Sequence, residues 1–359
     1  MKLLILLPLF LSTFIIQAKT FTITNRYYRP SSNAYIISDY IDNIYDDLED
    51  SVNNSMISVD TSIYLKGVSE STALASKGLS ASYANDFDLF ILMGAVGAAA
   101  DLGSYSLNDA ISGDVNSDRI NGVGVATAAT FGLNLNFFPL PTFAKRFKLY
   151  ASFMKTDLDF DDFSTKIEHM ALFVQYRLIE EENIGSSYLL NWGGVDVTLG
   201  LEKTTLDLNY SKALVKSLTQ LSETPLGTAN FTGTYSGTPS ASLESSITSI
   251  PVEISTSVRF LYFLSLYGGL GFDLVSGETT ASSNATGSIS MTDDGGIIND
   301  GDVSATPNFS LGQSGKPSST NSRFFGGLQI NGPLLSVFMQ YNEVFGGVKG
   351  AAVGVKVRW

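Results

Sequence analysis

The sequence predicts an all-β chain, an antiparallel transmembrane β-barrel of about 12–14 strands that follows a short N-terminal amphipathic helix. Three observations lead to this fold class. Long segments alternate between apolar and polar residues, small residues occupy the face opposite the apolar one, and aromatic residues gather at the segment ends. Because successive side chains of a strand point to opposite faces, strict alternation indicates a strand whose two faces meet different surroundings.

The clearest alternating segment covers residues 122–135. Val123, Val125 and Phe131 share one face with other apolar residues, whereas Gly, Ala, Thr and Asn occupy the other face. A soluble β-sandwich is the alternative, but its strands usually run only about 5–6 residues. Small residues suit a narrow lumen, and terminal aromatic residues suit the interfacial girdles of a membrane barrel. The barrel is therefore the preferred interpretation.

The composition limits the classes of partner. The chain has 359 residues, a formal charge of −13 and no cysteine, and only 16% of its residues are charged. A soluble domain usually has roughly 25% charged residues. Nucleic-acid binding needs clustered Lys and Arg, so we expect no nucleic-acid partner. No sequence motif indicates a cofactor, and we expect none.

The N-terminus predicts export. Lys2 precedes an apolar run that ends near Ile16, and Ala18 offers a cleavage site, so residues 1–18 are interpreted as a signal peptide. No later apolar run reaches the roughly 20 residues of a spanning helix, and the longest, 89–100, suits a spanning strand instead.

An amphipathic helix is predicted within the N-terminal segment 19–57. From Ser38, the residues Ile41, Ile44 and Tyr45 recur at helical spacing among acidic residues. The helix is expected either to plug the lumen or to pack on the periplasmic rim, and the sequence does not separate these places.

The barrel is assigned to residues 58–359. The turn at 331–333 is expected to face the periplasm, because periplasmic turns of such barrels are short. The Ser-, Thr- and Gly-rich stretches 211–245 and 277–321 are expected to be extracellular loops or hairpin extensions.

The C-terminal stretch, residues 354–359, resembles the C-terminal signal of bacterial outer-membrane β-barrels. In that signal a Gly is followed by two residues, an apolar residue, any residue and a terminal aromatic residue, and here these are Gly354, Val357 and Trp359. The resemblance implies a location in the outer membrane. It also implies two partners, outer-membrane lipid and the barrel-assembly machinery.

Charged residues on the predicted lumen face indicate a solute pathway. Opposite charges across a pore select solutes, but the same charges could close a small barrel with ion pairs, and the sequence leaves both interpretations open. The predicted pore-lining residues are Arg177, Asp196, Glu202, Glu253 and Arg259.

A porin-like channel for passive passage of small solutes is the preferred function. The first alternative is a closed surface barrel that acts in binding or adhesion through its loops, which long side chains crowding the lumen would favour. The second is a transporter of hydrophobic molecules resembling the long-chain fatty acid transporters, although their Asn-Pro-Ala motif is absent from the N-terminal region. Because His169 is the single histidine, we expect no enzyme.

One acidic segment is a weak metal candidate. Asp157, Asp159, Asp161 and Glu168 match positions 1, 3, 5 and 12 of a calcium-binding loop, but Asp162 stands where that loop needs Gly. The preferred interpretation is a solvated acidic hairpin tip.

Overall fold

The computed structural model describes residues 21–55, 62–84, 89–103, 120–184, 189–299, 301–345 and 347–359. The predicted signal peptide, residues 1–18, lies outside these ranges. Within them, three α-helices occur in the N-terminal region: α1 (Asn33–Ile36), α2 (Ser38–Ser55) and α3 (Ser62–Ala75). No helix of the described residues is long and apolar enough to cross a bilayer.

Most of the described residues belong to one antiparallel sheet of fourteen strands. The strands are β1 (Phe21–Tyr28), β2 (Phe90–Asp101), β3 (Gly122–Asn134), β4 (Phe147–Phe160), β5 (Phe163–Ile179), β6 (Glu182–Asn183), β7 (Leu190–Ser211), β8 (Leu214–Thr224), β9 (Gly227–Phe260), β10 (Leu264–Asp293), β11 (Val303–Gly315), β12 (Thr320–Asn331), β13 (Leu335–Val344) and β14 (Lys349–Arg358). Two single-turn 3-10 helices, Leu135–Phe137 and Ala144–Arg146, separate β3 from β4.

Ten of these strands close into a ring. Starting from β2, each strand pairs with the next in the order β2, β3, β4, β5, β7, β9, β10, β12, β13 and β14, and β14 pairs back to β2. A closed ring leaves no strand edge within the bilayer, which a membrane barrel requires. The predicted antiparallel barrel is confirmed, although the predicted number of about 12–14 strands matches the whole fourteen-stranded sheet and not the ring. The ring itself uses ten, because β1, β6, β8 and β11 pair outside it.

The two faces of the ring strands differ as the alternation predicts. On β14, Val353 is 54% exposed and points outward, whereas its neighbour Ala352 is 3% exposed and points inward. On β3, Gly122, Gly124 and the other alternate residues of the small face are buried. The face of small residues therefore lines the interior of the barrel.

The outer face of the ring is an apolar belt. Large apolar side chains project outward from neighbouring strands, and a soluble protein would not leave so much contiguous apolar surface in water. Bilayer lipid is the solvent that suits this face, which makes the chain a transmembrane barrel of the outer-membrane type. The belt includes Leu92, Val96, Phe131, Leu149, Phe153, Met170, Leu172, Val174, Leu199, Leu201, Val252, Ile254, Leu266, Leu270, Val337, Met339, Val353 and Val355.

The two ends of the barrel differ in their connections. At one end residues 261–263 join β9 to β10 and residues 332–334 join β12 to β13, and Trp359 lies against Phe90 there with 5.9 Å between ring centroids. Short turns mark the periplasmic end of such barrels. The opposite end, which carries the long hairpins, therefore faces outward from the cell.

The outward end carries a sheet that extends beyond the ring, which we call the outer platform. It consists of β1, β8, β11, residues 227–239 of β9 and residues 276–293 of β10, together with α1 and α2. Its strand order is β1, β11, β10, β9 and β8. The stretches predicted as loops or hairpin extensions are therefore hairpin extensions built of paired strands.

Helix α2 lies on the outer platform rather than in the lumen or on the periplasmic rim, the two places that the sequence suggested. Its residues Ile41 and Tyr45 pack in one buried cluster with Phe231 and Met291 of the β9–β10 hairpin. Arg26 of β1 also donates hydrogen bonds to carboxylates of α2. The apolar face of α2 thus packs against the few large apolar residues of hairpin extensions whose composition is mostly polar. The ring begins later than the predicted boundary at residue 58, because its first strand is β2.

Candidate functional site

The lumen is filled by α3 and the segment that follows it, residues 62–84, which we call the plug. Near the outward end, Leu65 and Val68 pack with Leu243 of β9. Near the periplasmic end, Tyr83 packs in a cluster with Tyr150 of β4. Helix α3 contacts six strands of the ring, β2, β3, β7, β9, β10 and β14, and also β11 of the outer platform. The plug therefore runs through the barrel from the outward end to the periplasmic end.

Glycines of the wall make room for the backbone of the plug. A Cβ on Gly124 would collide with the backbone of Thr72, and a Cβ on Gly122 would collide with that of Val68. Glycine inside a strand often marks such a close approach of another backbone. Helix α3 thus packs directly against the face of β3 that carries the small residues.

Small polar residues of α3 bind the wall directly. Ser71 Oγ donates to the carbonyl oxygen of Gly122 at 3.2 Å, and Ser69 Oγ donates to that of Gly315 at 3.1 Å. Ser69 Oγ also lies 2.7 Å from Thr279 Oγ1. Short side chains that reach wall carbonyls at this distance fix both the depth and the rotation of the helix in the lumen.

A buried network of charges joins the plug to four strands of the wall. Lys77 of the plug forms ion pairs with Glu202 and Asp273, and its Nζ donates to Ser249 Oγ at 2.7 Å. These side chains are almost entirely buried, and a buried charge without its partner costs several kcal/mol. Lys77 is therefore held firmly in place by the wall.

Arg323 of β12 continues this network. It forms an ion pair with Glu253 and donates from Nε to Asp273 Oδ2 at 2.9 Å, while Tyr83 of the plug donates to Glu253 Oε2 at 2.8 Å. Because the carboxylates of Glu253 and Asp273 face both the plug and Arg323, the network spans the interior of the barrel.

His169 takes part in holding the plug. One of its ring nitrogens lies 2.9 Å from Ser80 Oγ of the plug, and the other lies 3.0 Å from Thr204 Oγ1 of β7. Its neighbour Glu168 is partly exposed and pairs instead with Lys155 and Lys166. His169 therefore lacks an orienting carboxylate from Glu168 and bridges the plug to the wall.

The family model described as Lsa36-like matches residues 16–359, which is nearly the whole chain. The chain belongs to the Lsa36-like family. No curated protein sequence is significantly similar to it.

Solved structures to which this Lsa36-like chain is similar include three β-barrel proteins. The translocator domain of the autotransporter NalP from Neisseria meningitidis is 10% identical at a TM-score of 0.25, covering 80% of this chain and 93% of that one. Ail of Yersinia pestis is 13% identical at 0.22, covering 76% and 99%. The toluene transporter TbuX of Ralstonia pickettii is 9% identical at 0.25, covering 82% and 95%. At such low TM-scores these similarities carry no functional argument.

The five charged residues predicted to line a pore lie on the inner face of the barrel, but two of them contact the plug. Glu202 binds Lys77, and Glu253 binds Tyr83 and Arg323. The other three lie toward the periplasmic end, where Arg177 Nε is 3.4 Å from Asp196 Oδ1 and the guanidinium of Arg259 lies 5.8 Å from the ring centroid of Tyr262. Arg177 and Asp196 are thus paired with each other and Glu202 and Glu253 with cations of the network, whereas Arg259 lies against an aromatic ring.

The sequence interpretation missed Lys77 and Arg323, the two cations of the network. Arg323 immediately precedes Phe324, which begins the outward apolar face of β12, so its inward register could have been read from the alternation. Lys77 follows a helix that has no alternating pattern, and its position in the lumen carries no signal in the sequence.

The weak calcium candidate is a β-hairpin tip. Asp157 and Asp159 lie on β4, Asp161 lies in the turn with φ of 41°, and Glu168 lies on β5 opposite Lys155. Lys155 and Lys166 both pair with Glu168. Among the residues that the structure describes, no three metal-ligating side chains are grouped to hold a metal ion.

The residues of the predicted assembly signal share the last strand and its end. Gly354 points inward, where a Cβ would collide with the ring of Phe338, and Val357 points outward into the apolar belt. Trp359 is half exposed, and its backbone exchanges hydrogen bonds with Phe90 at 2.9 and 3.2 Å. This pairing closes the ring at its periplasmic end.

Proposed function

We propose that this Lsa36-like protein is a closed surface barrel that binds an extracellular partner through its outer platform. The observation that carries the proposal is the filled lumen. The plug occupies the path that a solute would take, and buried ion pairs from Lys77 hold it there. Long side chains that crowd the lumen are the feature that favours a closed barrel over a channel.

The outer platform offers a surface suited to binding. Tyr35, Ile36 and Tyr40 lie within six residues of one another at 59%, 65% and 40% exposure, on the part of the chain that projects beyond the lipid belt. Exposed tyrosines and large apolar side chains are typical anchors of protein interfaces.

The platform beneath this surface is rigidly connected. Arg26 Nη1 is 2.9 Å from Asp42 Oδ1 and Arg26 Nη2 is 2.7 Å from Asp46 Oδ1, so α2 is tied to β1. Tyr28 Oη donates to Asp42 Oδ1 at 2.6 Å, and burial together with this hydrogen bond raises the pKa of Tyr28. A surface that is ordered before binding loses less conformational entropy when its partner arrives.

Adhesion of cells that display the chain tests this proposal. A non-adherent bacterial strain expressing the wild-type chain is expected to adhere to immobilised extracellular-matrix glycoproteins. The triple variant Tyr35→Ser, Ile36→Ser, Tyr40→Ser should lose at least tenfold of that adhesion, because removing each anchor costs about 1 kcal/mol or more.

Leu226→Ser is the matched control, since Leu226 is an exposed apolar residue in the turn between β8 and β9. This variant should adhere as the wild type does. Equal adhesion of the triple variant and the wild type, at equal surface expression, would contradict the proposed binding surface.

The porin-like channel and the transporter of hydrophobic molecules stay predictions. Both need the plug to move, which would require the ion pairs of Lys77 to be replaced by other interactions.

We further propose that the barrel-assembly machinery is a partner through Gly354, Val357 and Trp359. We also propose that the chain has no catalytic activity, since its single histidine is engaged between plug and wall.

A further inference from the structure

A cavity of about 130 Å³ lies at the periplasmic end of the barrel. Its wall is formed by the connection between β3 and β4 and by the adjoining ends of β4 and β5. Four cations and several neutral hydrogen-bonding groups line it, among them Lys145, Arg146, Lys148, Arg177, Asn136 and Thr142.

The charge of this cavity opposes that of the chain. The chain has 22 Lys and Arg residues and a net charge of −13, yet four of those cations meet here. Glu180 is the acidic residue in the lining, and it is engaged by Arg146 at 3.0 Å, while Arg177 is paired with Asp196 at 3.4 Å and Glu181 at 3.9 Å. Lys145 forms no ion pair with any residue that the structure describes. Lys145 therefore adds a positive charge that no carboxylate of the described residues neutralises, and a bound anion would be attracted to it.

The donor groups suit an oxyanion. Arginine presents several N–H donors in a planar fork, and lysine supplies a compact positive charge, the combination that proteins use for phosphate. The cavity also has enough room, because one water needs roughly 10–15 Å³ on the same measure and this space is several times larger.

We propose that this cavity binds a phosphate group. The group is carried either by inorganic phosphate or by the headgroup of a phospholipid in the periplasmic leaflet of the membrane. The side chains of Phe137, Leu140 and Phe143 project from the same β3–β4 connection and are exposed, so this connection offers apolar contacts beside the cations. The inference does not depend on the proposed binding function of the outer platform.

Titration of the refolded mature chain with inorganic phosphate is the first arm of the test, carried out by calorimetry in a phosphate-free detergent. The wild type is expected to bind one phosphate saturably. Lys145→Gln should weaken this binding roughly tenfold, since a charge-assisted hydrogen bond is lost. Lys316→Gln is the control, because Lys316 is an exposed cation on the connection from β11 to β12, at the opposite end of the barrel. It should bind as the wild type does.

Native mass spectrometry is the second arm, after reconstitution into bilayers that mix phosphatidylglycerol with a phosphate-free glycolipid. Phosphatidylglycerol retained by the wild type and lost in Lys145→Gln would support the proposal with a lipid headgroup as the source. Calorimetric binding without retained phospholipid would support it with free phosphate as the source. The proposal is overturned if folded wild type shows neither, or if Lys145→Gln and Lys316→Gln behave alike. Folding of each variant is checked by its heat-dependent gel shift.

Discussion

Gly122 and Gly124 of β3 let a helix backbone lie directly against the wall of the barrel. Any side chain at these positions would occupy the space of Val68 or Thr72. Gly94 of β2, in contrast, faces lipid. A Cβ at this position would meet no atom within 4 Å. The effect of replacing a glycine by a larger residue therefore depends on whether the glycine faces the plug or the lipid.

Gly124→Ala is expected to lower the free energy of unfolding by about 1–3 kcal/mol, because its methyl group overpacks the contact with α3. Gly94→Ala is the matched control on the adjacent strand and should change stability little. Urea unfolding of the protein in lipid vesicles measures both. Equal stability of the two variants would argue against a close contact between the backbone of α3 and β3.

Lys77→Met should destabilise the plugged barrel by about 3–5 kcal/mol, because it leaves the buried carboxylate of Glu202 without its cation and Asp273 with Arg323 alone. Lys66→Met is the control, since Lys66 is 52% exposed in its side chain and its pair with Glu70 is long at 3.8 Å. The control should change stability by about 0–1 kcal/mol. Unfolding curves of the two variants in the same lipid give the comparison, and similar losses would contradict a buried network.

At the residue level the sequence predicts faces better than partners. The inward position of Gly122, Gly124 and Glu253 follows from alternation alone, because period two is a property of the strand itself. That Glu253 meets Tyr83 and Arg323 depends on strand register and on the path of the plug, neither of which alternation determines.

Among the elements, α2 and α3 differ in how clearly the sequence signals them. Helix α2 has an apolar stripe among acidic residues, and the predicted start at Ser38 agrees with the structure. From Gly67 onward helix α3 is surrounded by the barrel wall, so this part lacks a polar face turned to water and shows no amphipathic period. The strands of the outer platform were equally hard to recognise, because their Ser and Gly residues are common in loops as well.

Val353→Arg tests the assignment of the belt strands to lipid. This substitution places a charge on the outer face of β14. It should make insertion into the bilayer less favourable by about 2–4 kcal/mol near the midplane. Val215→Arg is the control on β8 of the platform, where Val215 is 69% exposed and meets water. Folding yields in lipid vesicles compare the two. Equal yields would mean that the belt does not face lipid.

Trp359→Asp should prevent assembly of the last strand. The aromatic ring at this end lies against Phe90, and the signal that the sequence resembles ends in an aromatic residue. Trp359→Phe keeps that character and should assemble normally. A heat-modifiable band in the membrane fraction reports assembly, and a normal band for Trp359→Asp would refute the assembly-signal interpretation.

The whole molecule combines a closed lumen with an ordered outward surface. The plug lies inside the ring and the outer platform lies at its outward end, and the chain passes from the platform through the lumen before it begins the ring at Phe90. The sequence therefore indicates that the N-terminal segment lies near the barrel, but it does not indicate which part of that segment enters the lumen. Because β1, α1 and α2 precede the plug, this part of the platform reaches the outward end with the chain threaded through its own barrel.

Single-channel conductance in planar bilayers tests most directly whether the plug closes the lumen. The refolded mature chain is compared with a variant in which residues 62–84 are replaced by a flexible Gly/Ser linker of equal length. We expect no steady channels from the intact chain and steady channels from the variant, with both shown to be folded by a heat-dependent gel shift. Steady channels from the intact chain would contradict this expectation.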